Sequence, residues 1–350
     1  MADAANANAV RHRDTRLRFE QWARNPACQA NTLSAVHGIP MSQVAKREGT
    51  TPTMGQSPFA IARGEMFERS LFRNDAAVLR EALVEADVLP KSAKAFTDFR
   101  LKLHGGQLRS HDDARAATTR FFHNLAKGKA AAGLAAAPTL LIPGGVMLPE
   151  AILVIDALVA TRVADQVMLT VGEIKTYPDR GGHTDGAELA TARAQAGVYV
   201  HGLQVVLREL GLDGHVTVAL QGFLVLSRPG FNRPSIRAGE DLCYQAKRAE
   251  RGFSQLETAA SGLPAPGRAD PEMAIMHAGT AYESTCVSFC DRAATCFQRA
   301  LVANDPIILG EDVRRLLGQV PLDRAVALLN GEKPKTDAER ALNDQFQQGD

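Results

Sequence analysis

The sequence contains few cysteines and few aromatic residues, and it has almost no net charge. Only 5 of its 350 residues are cysteine, aromatic residues make up 5%, and there is a single tryptophan. A formal charge of +1 excludes a basic surface over the whole molecule, so any surface that binds a polyanion must be local. In a reducing compartment, five cysteines indicate metal ligands or free thiols rather than disulfides.

Long apolar runs are also missing from the chain. No stretch is long and apolar enough to cross a membrane. The first 22 residues carry charges without an apolar segment behind them, so they do not have the pattern of a secretory signal. We therefore expect a cytoplasmic protein with no membrane partner. Hydrophobic residues still make up 45% of the chain, which is enough for a sizeable core.

The apolar patterning changes period along the chain. Its spacing predicts an amphipathic helix over 59–72 and further helices to about Leu125. Three segments rich in Val, Ile and Leu then predict consecutive strands of a buried sheet. The other predicted elements are a Gly/Ala-rich connection over 127–137, strands within 139–143, 151–160 and 166–175, a loop over 176–187, a helix from Glu188 to Leu210, and a strand that ends at Arg228. This order indicates an α/β fold with helices packed on a mixed sheet.

Composition suggests four segments along the chain. The first is a polar arm followed by an irregular stretch that holds one cysteine, and a core with the strands comes next. A basic helical segment with three clustered cysteines and a helical tail complete the chain. The predicted boundaries are 1–57, 58–228, 229–300 and 301–350.

Two carboxylates and a lysine stand out within the predicted strands. Asp156 lies in ILVIDALV, and Glu173 and Lys175 lie in LTVGEIK. A charge in an apolar run is costly unless it is paired or binds a metal. Two residues apart on a strand, Glu173 and Lys175 share one face. Carboxylates suit Mg²⁺ or Mn²⁺, which activates water, and a lysine can stabilise the transition state, so the set indicates phosphodiester hydrolysis. The alternative is solvated charges at strand ends.

The spacing Asp156-x16-Glu173-x-Lys175 resembles the motif of the PD-(D/E)xK nucleases. Downstream, Gln195 and Tyr199 fit the QxxxY element of the RecB-like branch. Four residues apart, these two side chains lie on one face of the predicted helix. The resemblance covers about residues 20–300 and implies a restriction-endonuclease-like core.

Upstream, Gly64-Glu-Met-Phe-Glu68 resembles the first motif of the same branch. The resemblance implies that Glu68 supplies a further carboxylate to the metal, with Glu65 as its competitor.

The resemblance to this family also implies a role for each motif residue. Asp156, Glu173 and Glu68 would bind Mg²⁺ or Mn²⁺, together with the backbone carbonyl of Ile174. Lys175 would position the water or the scissile phosphate, and Gln195 and Tyr199 would steady the site and the DNA strand. The alternative for Tyr199 is an ordinary core residue whose hydroxyl is satisfied locally.

Three of the five cysteines are clustered near the C-terminus. They follow the pattern Cys286-x3-Cys290-x5-Cys296, and Cys28 lies far upstream. Four thiolates suit either zinc or an iron–sulfur cluster. The alternative is a set of buried thiols at helical spacing, because cysteine is among the most buried residue types.

The arrangement of one cysteine before the core and three after it resembles the iron–sulfur subset of RecB-like nucleases. This subset includes AddB and the CRISPR-associated adaptation nucleases. The resemblance implies a structural [4Fe–4S] cluster, bound by Cys28, Cys286, Cys290 and Cys296, that joins the N- and C-terminal helical segments. The first pair departs from the family, which usually has two intervening residues where this chain has three. Cys243 remains as a free thiol or a substitute ligand.

These patterns lead to an expected function and an alternative. We expect a metal-dependent DNA nuclease that acts on single strands or DNA ends, in DNA repair or anti-phage defence, with a helicase as a possible partner. The basic stretch 228–251 is the expected track for the DNA backbone. The alternative is a non-catalytic subunit that keeps the fold and binds nucleic acid or assembles with other proteins.

Overall fold

A computed structural model describes residues 15–52, 58–142, 151–229, 233–261 and 270–348. The chain divides into two compact units. The first is built mainly from residues 56–258, and the second combines residues 17–55 with 259–350. Within the described ranges, no helix has the length and hydropathy needed to cross a membrane.

The described helices and strands are numbered in chain order. The helices are α1 (Thr15–Arg24), α2 (Gln29–His37), α3 (Met41–Arg47), α4 (Pro58–Leu71), α5 (Arg73–Glu85), α6 (His111–Ala126), α7 (Gly186–Glu209), α8 (Cys243–Ser261), α9 (Pro271–His277), α10 (Ala293–Ala303), α11 (Glu311–Leu317), α12 (Leu322–Leu329) and α13 (Asp337–Gln348). Short 3₁₀ helices span Lys102–His104, Ser284–Ser288 and Pro306–Leu309. The strands are β1 (Ala95–Asp98), β2 (Gly133–Ala136), β3 (Thr139–Ile142), β4 (Ala151–Val154), β5 (Ala157–Val163), β6 (Gln166–Pro178), β7 (Val216–Val218), β8 (Gln221–Ser227) and β9 (Ser235–Asp241).

The first unit contains a mixed sheet in the order β1-β2-β5-β6-β8-β9, with β7 also paired to β6. The β1–β2, β6–β7 and β6–β8 pairs are parallel, and the other pairs in this sheet are antiparallel. Strands β3 and β4 form a separate antiparallel pair. The prediction of an α/β fold with a mixed sheet flanked by helices is therefore confirmed.

The two faces of the sheet are apolar and carry different helices. Phe223 and Val225 of β8 belong to a buried cluster that includes Leu79 and Leu83 of α5, and Ile174 packs against it. Leu224 and Leu226 point to the other face, where they cluster with residues of α7. Because the strand β6 runs parallel to β8, Glu173 and Lys175 lie in register with Leu224 and Leu226.

Two strands of this sheet lie where the sequence predicts other structure. Strand β1 interrupts the predicted run of helices, and β2 lies in the predicted Gly/Ala-rich connection. Both predictions are wrong. Strand β2 was missed because its sequence, GLAA, has no β-branched residue, and its formation depends on pairing with β1 and β5. An added Cβ at Gly133 would come within 2.2 Å of the Ala95 oxygen, so the close approach of β1 requires this glycine.

The other differences lie at strand ends. The predicted strand 151–160 is broken at Asp156 into β4 and β5, and the predicted loop 176–187 begins later because β6 continues to Pro178. The stretch after Pro229 was predicted to be helical, but it first forms β9, which pairs with β8. Consequently the first unit extends past the predicted boundary at 228.

The second unit is helical in its described part. The stretch predicted to be irregular forms α2 and α3 instead, so that prediction is wrong. Leu33 and Val44 of these helices form a buried cluster with Ile275 of α9, a residue that lies more than 200 positions later in the chain. A second cluster joins α10 to the C-terminal helices, with Leu328 and Leu342 buried in it.

Candidate active site and thiol cluster

Asp156 occupies the break between β4 and β5, where two other elements reach its carboxylate. The backbone N–H of Ile174 in β6 donates to Oδ2 at 2.9 Å, and the Tyr199 hydroxyl of α7 donates to Oδ1 at 3.1 Å. The antiparallel register pairs Ala157 with Gly172, which places Asp156 beside Glu173. The structure therefore brings the three predicted positions Asp156, Glu173 and Tyr199 to one end of β5 and β6.

Glu173 and Lys175 form an ion pair on one face of β6. The Lys175 ammonium lies 2.6 Å from Oε1 of Glu173, whose side chain is 0% exposed. Burying a carboxylate without a countercharge costs several kcal/mol, and the Lys175 ammonium supplies that countercharge. The prediction that both side chains share a face is confirmed.

Glu68 of α4 lies within electrostatic reach of this pair. Burial raises the pKa of the Glu68 carboxyl above its ordinary value, and the charges of Glu65 and Glu173 raise it further, whereas Arg100 and Arg69 lower it. A raised pKa beside another carboxylate is typical of a site that binds a cation.

The competitor Glu65 has a different environment. Its side chain is 47% exposed and lies 3.5 Å from Arg69 in an ion pair at helical spacing. Glu68 is half-buried and Glu65 is exposed, so Glu68 is the residue of this motif that lies near Glu173.

Gln195 and Tyr199 lie on the same buried part of α7. Gln195 is 5% exposed and Tyr199 is 0% exposed. Asp185 begins the helix by accepting from the backbone N–H groups of Ala187 and Glu188. Tyr199 is buried as a core residue would be, and its hydroxyl also donates to Asp156.

Gly197 explains why α7 can lie so close to α8. An added Cβ at Gly197 would come within 2.5 Å of the Gln245 Cβ, so only glycine permits this packing. This contact fixes the part of α7 that carries Gln195 and Tyr199.

The donor set suits a hard cation, although the carboxylates already have partners. Asp156, Glu173 and Glu68 supply oxygen atoms, which Mg²⁺ and Mn²⁺ prefer. In the described residues, no three His, Cys, Asp or Glu side chains are arranged as ligands of one metal ion. A lysine binds Glu173 instead, and a backbone amide and a tyrosine hydroxyl bind Asp156.

Two arginines of the basic stretch 228–251 are engaged in ion pairs. Arg233 pairs with Glu81 and, at 3.2 Å, with Glu85. Arg237 lies 3.1 Å from Glu240. Their charges are thus partly neutralised, which weakens the expectation that the whole stretch forms a track for DNA.

The five cysteines divide between the two units. Cys28, Cys286, Cys290 and Cys296 belong to the second unit, and Cys243 begins α8. All five are free thiols. One helical turn joins the first clustered pair, because the Cys290 N–H donates to the Cys286 oxygen at 2.9 Å.

The four thiols of the second unit influence one another. Burial raises the pKa of Cys290 to about 12, and the charges of Cys296, Cys286 and Cys28 contribute in the same direction, opposed by a backbone hydrogen bond from Arg292. Burial also raises the pKa of Cys296, with smaller contributions from Cys28 and Cys286. Cys28 and Cys290, from opposite ends of the chain, also pack against the same buried cluster in this unit.

Two polar residues beside these thiols were not identified from the sequence. The Asn25 amide donates to the Cys286 sulfur at 3.4 Å, as does the backbone N–H of Glu283. Arg292 is 1% exposed and forms two hydrogen bonds with Glu48, at 2.8 and 2.5 Å. Neither residue belongs to a recognisable motif, so only the three-dimensional arrangement identifies them.

No family model matches the chain, and comparison with curated proteins finds no match. The function has to be inferred from the residues and their geometry.

Proposed function

We propose that this protein is a metal-dependent DNA nuclease with a restriction-endonuclease-like core. One observation carries the proposal: a buried Glu173–Lys175 pair lies beside Asp156 at the end of two paired strands, and Asp156 is held by Ile174 and Tyr199. A hydrolase acting on phosphodiesters needs clustered carboxylates and a nearby cation of this kind.

Asp156, Glu173 and Glu68 would hold Mg²⁺ or Mn²⁺, with the Ile174 carbonyl as a further oxygen. The bound cation would neutralise charge at the phosphate and lower the pKa of the attacking water. Tyr199 and the Ile174 N–H hold the Asp156 carboxylate in a fixed orientation through its two oxygens.

Lys175 has two roles in this proposal. Without a cation it neutralises the buried Glu173. When Glu173 instead binds the cation, the ammonium becomes available to orient the water or to stabilise negative charge on the phosphate. Gln195, which is buried on the same helix as Tyr199, supports the arrangement of the site.

We further propose that Cys28, Cys286, Cys290 and Cys296 bind a [4Fe–4S] cluster with a structural role. The support is that Cys28 and Cys290, from opposite ends of the chain, pack against the same buried cluster, and that the N–H groups of Asn25 and Glu283 would donate to the Cys286 thiolate. Zinc is the alternative occupant. Absorbance separates the two, since iron–sulfur proteins are brown and zinc proteins are colourless.

The proposed biological role is inferred from the proposed nuclease activity. DNA repair or anti-phage defence, in cooperation with a helicase, suits a nuclease that acts on single strands or DNA ends.

The first experiment is a cleavage assay with anaerobically purified protein. Labelled single- and double-stranded DNA is incubated with Mn²⁺, Mg²⁺ or EDTA, using wild type, Asp156→Asn and Asp165→Asn. Asp165 is the matched control, because it is exposed between β5 and β6. We expect metal-dependent cleavage that is lost in Asp156→Asn and kept in Asp165→Asn. Equal cleavage by both variants would refute the proposed site.

A second candidate is the non-catalytic nucleic-acid-binding or assembly subunit. It is favoured by the internal partners of the carboxylates, because Lys175, Ile174 and Tyr199 satisfy them as a structural network would. DNA binding by the wild type without turnover in any metal would select this alternative.

A further inference from the structure

The first unit contains an open cavity beside the carboxylate residues. Its volume is about 590 Å³. Ligand pockets of proteins commonly have volumes of roughly 300–1,000 Å³. Arg69 lines the cavity and directly follows Glu68 on α4, so the same turn of this helix borders both the cavity and the carboxylate site.

One wall of the cavity is a flat, buried arrangement of aromatic rings and a guanidinium group. The Phe72 and Phe96 rings stack with their centroids 6.3 Å apart and an interplanar angle of 18°. The Arg100 guanidinium lies 4.7 Å above the Phe72 ring. Asp98 holds it in place by accepting from Nε at 2.9 Å and from Nη2 at 2.8 Å. Phe72 and Arg100 are buried, so the half-buried Phe96 is the ring of this wall on which a nucleobase could stack.

The lining of the cavity also carries exposed positive charge. Arg69 and Arg73 line the cavity, and both residues are exposed. Counting Arg100, three arginines face two aspartates, Asp75 and Asp98. Arg100 pairs with Asp98 and Arg69 pairs with Glu65, so Arg73 is the lining arginine for which the described residues show no ion pair, and it is the one available to an anion.

The backbone at the cavity is strained. Asn74, Asp75 and Ala76 have φ values of 50°, 53° and 56°, and the first two line the cavity. Three successive non-glycine residues in the left-handed region cost free energy, and such outliers cluster at functional sites. This turn is a kink within α5, and it separates Arg73 from the rest of that helix.

We infer that this cavity binds one nucleotide of single-stranded DNA adjacent to the phosphodiester that is cleaved. Its phosphate contacts Arg73, and its base stacks against Phe96. The inference rests on the proposed nuclease function. It assigns to this cavity the binding of part of the substrate, which the carboxylates alone do not provide. Arginine suits the phosphate because its guanidinium can form two parallel hydrogen bonds with the oxygens.

The test measures binding without cleavage. Full-length protein in EDTA is titrated into a short fluorescent oligothymidylate at several salt concentrations, using wild type, Arg73→Glu and Arg120→Glu. Arg120 is an exposed arginine of α6 and serves as the control for the change in charge. We expect Arg73→Glu to weaken binding about tenfold or more and to reduce the salt slope by about 1, while Arg120→Glu binds like wild type.

A second variant tests the stacking wall. Phe96→Leu removes the ring but keeps an apolar side chain, and a thermal melt verifies that the protein is folded. We expect this variant to lose affinity for oligothymidylate and to keep its salt slope, because stacking does not depend on counterion release.

The outcomes separate this inference from the proposed function. If metal-dependent cleavage occurs but Arg73→Glu binds as Arg120→Glu does, the subsite is refuted and the nuclease stands. If the wild type cleaves nothing but Arg73→Glu selectively loses binding, the nuclease is refuted and the subsite stands. A wild type that binds no single-stranded DNA would overturn the subsite.

Discussion

The candidate active site and the thiol cluster are built in different ways. Asp156 and Glu173 are held by the register of neighbouring strands, and the hydrogen bond from Ile174 to Asp156 follows from that register. Cys286 lies in a 3₁₀ turn and Cys296 in a short helix, and they depend on residues from the distant N-terminal segment.

The two sites differ in what holds their residues in place when no metal is bound. A sheet fixes the carboxylates before any metal arrives. In the helical unit, separate contacts such as Arg292–Glu48 bring together segments 244 positions apart, and its described residues contain no strand pair. Because metal binding contributes folding free energy where the apo site is weakly held, we expect the second unit to depend on the proposed iron–sulfur cluster more than the first depends on the proposed Mg²⁺ or Mn²⁺.

Removal of a thiol ligand should have the largest effect. Cys290→Ser should abolish the brown absorbance and reduce iron from about four atoms per chain to a trace. The apparent Tm of the second unit should fall by several degrees as well. Iron analysis and calorimetry measure both effects.

Cys243→Ser is the matched control for this ligand variant, because it also replaces a half-buried thiol, but in the first unit. It should keep its iron. Iron loss in Cys243→Ser with retention in Cys290→Ser would reverse the assignment.

Loss of the buried ion pair between Arg292 and Glu48 in the second unit should have the next largest effect. Arg292→Ala leaves Glu48 without its bidentate partner at a site where the guanidinium is 1% exposed. Breaking such a pair should reduce the free energy of unfolding by roughly 3–5 kcal/mol. Chemical denaturation measures the change. Arg340→Ala, which removes an exposed pair with Asp337, should have little effect, and equal losses would contradict this account.

Glu68→Gln should raise the thermal stability of the metal-free protein and lower its affinity for Mn²⁺. Because burial raises the pKa of Glu68, its charge destabilises the metal-free fold once the pH exceeds that pKa. The variant should therefore melt slightly higher than wild type at neutral pH without metal. Its Mn²⁺ affinity should fall about tenfold, as for the loss of one charged ligand.

The raised pKa of Glu68 also determines how the Mn²⁺ affinity should change with pH. Wild-type Mn²⁺ affinity should fall as the pH decreases through the pKa of Glu68, since protons then compete with the cation. Calorimetric titration at several pH values should show a shallower slope in Glu68→Gln, whereas Glu65→Gln should behave as wild type because Glu65 is exposed. Identical slopes in all three proteins would exclude Glu68 as a ligand.

Asn25→Ala should have the smallest effect. Loss of the hydrogen bond to the Cys286 sulfur removes stabilisation of the more negative, reduced cluster. A hydrogen bond of about 1 kcal/mol corresponds to about 40 mV for a one-electron couple, so the midpoint potential should fall by that order. Redox titration measures it, and an unchanged potential at full iron content would show that Asn25 does not act on the cluster.

The sequence predicted the elements whose patterns are local. The helix of Tyr199 and the strand of Glu173 have strong apolar periodicity, and the positions of Asp156, Glu173 and Lys175 followed from charges in apolar surroundings. Strand β2 was missed because its small residues have a low propensity for strands. Its position in the sheet follows from pairing with β1 and β5.

The surroundings of both sites could not be predicted for a related reason. Asn25 reaches the Cys286 sulfur and Arg292 reaches Glu48 through contacts between the two ends of the chain, and no local pattern encodes such contacts. The cavity beside Glu68 depends on β1 and on the left-handed turn at Asn74, neither of which has a sequence signature.

The central claim is that Lys175 and its carboxylate partners form a nuclease site. The most direct measurement is degradation of labelled single-stranded DNA in Mn²⁺ by wild type and by Lys175→Ala, with equal iron content verified in both. We predict that the variant is at least about a hundredfold slower, the loss typical for removal of one group that stabilises the transition state. Equal rates, or no cleavage by the wild type in Mn²⁺ or Mg²⁺, would contradict the account.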